Sequence, residues 1–195
     1  MTMTDDQDEN EFQLLGLALY AAQRVEFALY GLAAHAAHTP TAKKERRFRD
    51  LTPEKFLRGD ASELKATLGQ LVTTFGEAFL IQTPELISFY EDRNLLAHDY
   101  FRTFRTNIRG TPDRRQEGPE FLRDFIKRAL YWETVLRGLL AEMMKRASQK
   151  EGREAELAWT AEDLGRIDLF RQHVAKYLAG KGVCAEGLTA RKDSR

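Results

Sequence analysis

The chain is poor in the residues that staple, kink or anchor a protein. Among 195 residues there are one cysteine and five prolines. A lone Cys184 excludes an internal disulfide framework and fits a reducing compartment, and its place near the C-terminal end argues against a catalytic thiol. No apolar run approaches the ~20 residues needed to span a bilayer, and the acidic start lacks the basic and apolar regions of a signal peptide. The expectation is a soluble cytoplasmic protein with no membrane partner. Net charge is missing as well: 30 lysines and arginines balance 30 aspartates and glutamates, so no global field draws the molecule to nucleic acid. Glycine-rich phosphate loops, CxxC pairs and HExxH are all absent, and no cofactor is expected. Sustained period-two alternation and apolar runs joined by hairpin turns are absent too, which argues against β-structure.

What is present is helical spacing, broken at turns. A first segment from about Glu9 to His38 is rich in alanine and leucine. Thr52-Pro53-Glu54 reads as an N-cap followed by proline, opening a short helix that Gly59 ends. Asp60 can cap the next segment, "ASELKATLGQLVTTFGEAF". Thr83-Pro84-Glu85 repeats the cap signature. A polar loop, "NIRGTPDRRQEG", precedes a long amphipathic helix from about Pro119 to Gln149. Thr160 to Asp163 resembles a capping box and starts a last helix that Gly180 ends. The fold class is all-α, an up-and-down bundle of about five main helices. Residues 1–180 form one domain, with a core bundle over 9–150, an added C-terminal helix over 160–180 and a flexible tail over 181–195.

Charge is uneven locally. The N-terminal run "DDQDENE" is acidic, whereas Lys43–Arg49 and Arg102–Arg115 are basic. Arg102, Arg105 and Arg109, with Arg114 and Arg115, are spaced so that they can follow a phosphate backbone, although exposed basic loops also occur in proteins that bind no nucleic acid. His35 and His38 are three apart, but no third metal ligand accompanies them, and a histidine near a helix C-terminus is favoured by the dipole. His173 stands alone and reads as a surface or half-buried packing residue.

The stretch "YEDRNLLAHDYFR", Tyr90 to Arg102, breaks the pattern. At about 100° per residue, Leu86, Phe89, Tyr90, Leu96, Ala97, Tyr100, Phe101 and Phe104 share one arc, and Arg93 falls near its middle. A guanidinium cannot shed its charge, so it needs carboxylate or carbonyl partners, solvent or a crevice. Asn94 and His98 line one edge of the arc. In the first segment Leu15, Leu19, Ala22, Leu29 and Ala33 form an apolar stripe, and Glu26 sits among them as a candidate partner for Arg93. A structural ion pair accounts for Arg93 and Glu26 but leaves His98 and Asn94 without a reason.

Arg93-Asn94, three further residues, His98, Asp99 and Tyr100 resemble the signature of the HEPN superfamily: arginine, a polar residue, three residues, histidine, one residue, tyrosine. That resemblance implies a HEPN-like bundle and a metal-independent endoribonuclease acting as a homodimer on RNA. Arg93 and His98 of both protomers would meet at a two-fold axis as the catalytic pair. On a regular helix residues five apart point about 140° apart, which makes a composite site from two chains reasonable. His98 would transfer protons, Arg93 would stabilise phosphoryl charge, and Asn94 would orient His98 or bind phosphate. Glu26 would hold Arg93, a positional reading from the helical wheels. Some family members are toxins or effectors of prokaryotic toxin–antitoxin or phage-defence systems. One branch pairs the toxin with a nucleotidyltransferase antitoxin that adds AMP to the motif tyrosine, which makes Tyr100 a candidate modification site. Its other reading is a core aromatic. The alternative for the whole chain is a non-catalytic HEPN-like binding or regulatory module.

Overall fold

A computed structural model describes residues 3–36, 68–77, 79–106, 113–153 and 157–182. Among them there are helices and turns and no strand. The elements are α1 (Met3–Ala36), α2 (Leu68–Phe75), α3 (Pro84–Asn94), α4 (Glu117–Lys150) and α5 (Ala161–Gly180). α3 continues through two π-helical turns, Leu95–Asp99 and Phe101–Arg105. The expected short helix from Thr52 to Gly59, the Asp60 cap, the basic run Lys43–Arg49, His38, Arg109 and Cys184 lie outside the described residues.

The helix starts follow from their caps. The Thr83 hydroxyl accepts the Leu86 N–H at 3.2 Å and Pro84 supplies the first helical residue. At α5 the Thr160 hydroxyl accepts from the Asp163 N–H while the Asp163 carboxylate accepts from the Thr160 N–H, a reciprocal box that satisfies two end groups. α4 begins at Glu117, before Pro119 rather than at it, because proline in a first helical turn removes no intrahelical hydrogen bond.

Side-chain contacts fix the directions. Glu26 meets Arg93 while Glu11 meets Tyr100, so α3 with its π extension runs antiparallel to α1. Arg24 reaches Glu133 and Glu11 lies beside Gly118, so α1 and α4 run parallel. Tyr131 reaches His173 while Gly138 abuts Arg166, so α5 returns antiparallel to α4. Helices α1, α3, α4 and α5 therefore alternate in direction along the chain.

The core fills the space between them. Ala18, Ala22, Val25 and Leu29 of α1 are buried against Leu122, Phe125, Trp132 and Leu136 of α4, and Phe89 stacks on Phe125 at 4.8 Å between ring centroids. Two buried glutamates on α4 tie the layers together. Glu133 pairs with Arg24 of α1 and with Arg137, and Glu142 pairs with Arg171 of α5 and with Arg146. Asp92 pairs with Arg128 across α3 and α4 at 2.7 Å. At Gly138 an added Cβ would lie 2.1 Å from the Arg166 carbonyl oxygen, so glycine sets how closely α4 and α5 approach. No described helix is long and apolar enough to cross a membrane.

Candidate functional site

The motif helix is not regular where the motif lies. Leu95–Asp99 and Phe101–Arg105 close i→i+5 turns, a form that is rare and recurs at functional sites. A five-residue turn rotates each residue less than an α-turn does. The angle between Arg93 and His98 is therefore smaller than the 140° of a regular helix. The same widening corrects the expected apolar arc. Leu86, Phe89, Leu96, Tyr100 and Phe104 are buried as that arc requires, whereas Ala97 is exposed and Phe101 is 67% exposed.

Arg93 and Glu26 are brought together. Arg93 Nε lies 2.6 Å from Glu26 Oε1, with both side chains partly shielded, at 26% and 20% exposure. This is an ion pair at the edge of the core rather than in its middle. The same guanidinium donates from Nη1 to Asn94 Oδ1 at 3.3 Å. Asn94 therefore supports Arg93, its neighbour, and within the chain makes no hydrogen bond to His98. Held from two sides, the guanidinium keeps its remaining N–H groups for other acceptors.

His98 stands apart from that pair. It is exposed and lines a groove of about 240 Å³ with Phe12, Leu15, Leu19, Leu96 and Phe101. Arg93 does not line this groove, so one chain does not gather the two motif residues into one cavity. Leu19, expected in the buried stripe of α1, is instead 38% exposed on the rim, and Phe12 beside it is 65% exposed.

Tyr100 and Arg105 form the groove's inner wall with Glu11, the last residue of the N-terminal acidic run. Tyr100 donates its hydroxyl to Glu11 Oε1 at 2.8 Å, and Arg105 Nη1 donates to Oε2 at 3.3 Å. Tyr100 and Glu11 are both buried. Burial, then the hydrogen bond and charge of Glu11, push the Tyr100 phenol well above its ordinary value, with Arg105 opposing. Gly118 makes room, since a Cβ there would lie 2.6 Å from the Tyr100 hydroxyl oxygen. Tyr100 is thus a core aromatic with a committed hydroxyl. Arg105 is bound to Glu11, which sets it apart from a freely tracking phosphate contact. Arg102 is 72% exposed at its side chain and pairs with Asp99 at 2.7 Å. Glu11 had a legible signal: with Leu15, Ala18, Ala22, Val25 and Leu29 it follows the four-three spacing of one buried helix face.

Two other histidines lie among the described residues. His35 Nδ1 lies 2.8 Å from the Gly31 carbonyl oxygen, a local contact within its own helix, and among the described residues no cluster of three metal-binding side chains occurs. His173 is buried at 6% exposure, deeper than the surface or half-buried packing position expected of it.

No family model, no curated protein and no solved structure matches this chain.

Proposed function

We propose that the chain is a metal-independent endoribonuclease of HEPN type, active as a homodimer, and a toxin or effector of a prokaryotic defence or toxin–antitoxin system. The observation that carries the reading is the placement of His98. An exposed imidazole sits on a groove rimmed by Phe12, Leu19 and Phe101, apolar side chains that a second copy of the same face would cover. Two motif helices across a two-fold axis would then supply two arginines and two histidines to one cleft.

The chemistry follows by role. One His98 takes the proton from an RNA 2′-hydroxyl as its oxygen attacks the adjacent phosphorus. The P–O5′ bond breaks, and the second copy's His98 gives a proton to the leaving 5′-oxygen. The products are a 2′,3′-cyclic phosphate and a free 5′-hydroxyl. Arg93, positioned by Glu26 and Asn94, offers its planar donors to the phosphoryl oxygens as charge builds there. Arg102 and Arg109 remain candidates for RNA contact. A nucleotidyltransferase antitoxin acting on Tyr100 would first have to draw the hydroxyl away from Glu11.

Purified wild type, Arg93→Ala and His98→Ala, incubated with RNA in EDTA, test the proposal. Wild type should cleave and leave cyclic-phosphate ends. Each variant should lose activity by about a hundredfold or more, the usual size of a proton-transfer contribution for His98 and of a charge-stabilising donor for Arg93. If both variants cleave like wild type, the site is elsewhere. If wild type itself is inert, a non-catalytic binding module becomes the better reading, and the Glu26–Arg93 pair is then a structural tie.

A further inference from the structure

A second cavity lies away from the His98 groove, where the start of α3 meets α4 and α5. Its volume is about 480 Å³, within the range of small-molecule sites. Trp132 is buried in its wall, and Tyr131, Tyr177 and His173 line it with Trp132. The His173 ring meets Trp132 edge-on at 5.2 Å, and its Nδ1 lies 3.1 Å from the Tyr131 hydroxyl oxygen. Nε2 is buried and makes no aligned hydrogen bond, although the nearby Leu80 carbonyl favours a proton on the ring. Burial outweighs that carbonyl and lowers the His173 pKa, which favours the neutral ring as part of the aromatic lining.

Charge at the cavity is lopsided. Lys176 and Lys181 both line it, and among the described residues neither makes an ion pair; Lys181 Nζ sits 5.5 Å from the Tyr177 ring centroid. The one carboxylate lining it, Glu85, is held to the helix start by its own backbone N–H and by the Thr83 hydroxyl, and its charge also acts on Lys176. Thr83 in turn takes the Leu86 N–H, so the α3 start is already occupied by its cap. Two cations over an aromatic cavity suit a ligand that is flat at one end and anionic at the other.

We propose that this cavity binds a small molecule consisting of a flat aromatic ring bearing one anionic group, up to mononucleotide size. The ring lies among Tyr131, Trp132 and Tyr177, and the anion faces Lys176 and Lys181.

Calorimetric titration of the full chain with AMP, and separately with naphthalene-2-carboxylate, tests it. At least one probe should bind at one site per chain. Lys176→Ala/Lys181→Ala should weaken binding by about fivefold or more, the scale of exposed charge contacts. Both lysines are exposed, so an unchanged melting temperature will show that the variant folds. His98→Ala should leave binding as it is, which separates this cavity from the RNA groove. Tighter binding of AMP would mark a nucleotide site, and tighter binding of the naphthoate an aromatic-acid site. Failure of both probes to bind at millimolar concentration overturns the proposal. So does binding that survives the lysine substitutions, or that disappears with His98→Ala.

Discussion

At the scale of single residues, the site is organised by two glutamates of α1 that do different work. Glu26 stands at the core's edge and holds Arg93, a residue whose charge cannot be neutralised. Glu11, fifteen positions earlier and more deeply buried, takes the Tyr100 hydroxyl and an Arg105 N–H and so fixes the far end of the motif. Tyr100→Phe removes one hydrogen bond to a buried carboxylate while keeping the ring contacts with Phe104 and Phe121. The expected loss is about 1–2 kcal/mol of unfolding free energy, measurable by urea titration. A smaller effect on its own than Tyr100→Ala, which also empties core volume, would separate hydroxyl from ring. The pairing of Glu26 with Arg93 was legible because a carboxylate in one apolar face and a guanidinium in another must find partners. Glu11 was harder to read. It closes a run of acidic residues, and composition hid the spacing that places it on the buried face.

Among elements, α4 is the axis. Its buried Glu133 and Glu142 tie α1 and α5 to it, and its Phe125 stacks on Phe89 of α3. Glycine decides how close α5 comes. At Gly138 a methyl group would meet the Arg166 carbonyl, whereas at Gly165 of α5 it would meet nothing within 4 Å. Gly138→Ala should lower the melting temperature by about 4–8 °C, the cost of overpacking a tight helix contact. Gly165→Ala should leave it unchanged or raise it, since alanine favours the helix. Equal responses at the two positions would refute the close contact. Helix starts at Thr83 and Thr160 were visible in the sequence because caps are local chemistry. The π turns were not. No local residue pattern demanded them, and a wheel drawn at a regular pitch assigned Ala97 and Phe101 to the buried arc. Their exposure follows from the change of pitch, which a single sequence read in α-helical steps cannot display.

For the whole molecule, the bundle of described helices keeps apolar side chains at its surface, one group of them around the His98 groove. Phe12 and Leu19 of α1 and Phe101 of the π extension belong to that group. On the proposed reading, a second copy of the chain would cover these exposed aromatics beside His98. Sequence reasoning reached the all-helical class and the motif helix, because periodicity and caps are properties of short segments. Which apolar side chains remain outside depends on how four helices pack, and that is a property of the assembled chain. Phe101→Glu tests the two-copy site most directly, since a side chain already 67% exposed can be replaced without entering the core. Sedimentation and RNA cleavage are measured together across a protein dilution series. A composite site predicts a wild-type dimer whose specific activity falls on dilution. It also predicts that Phe101→Glu weakens dimerisation by about a thousandfold, the loss of one aromatic anchor per protomer, each worth ~2 kcal/mol, with cleavage lost in step. A wild-type monomer that cleaves with undiminished specific activity, or a fully active monomeric Phe101→Glu, would contradict it.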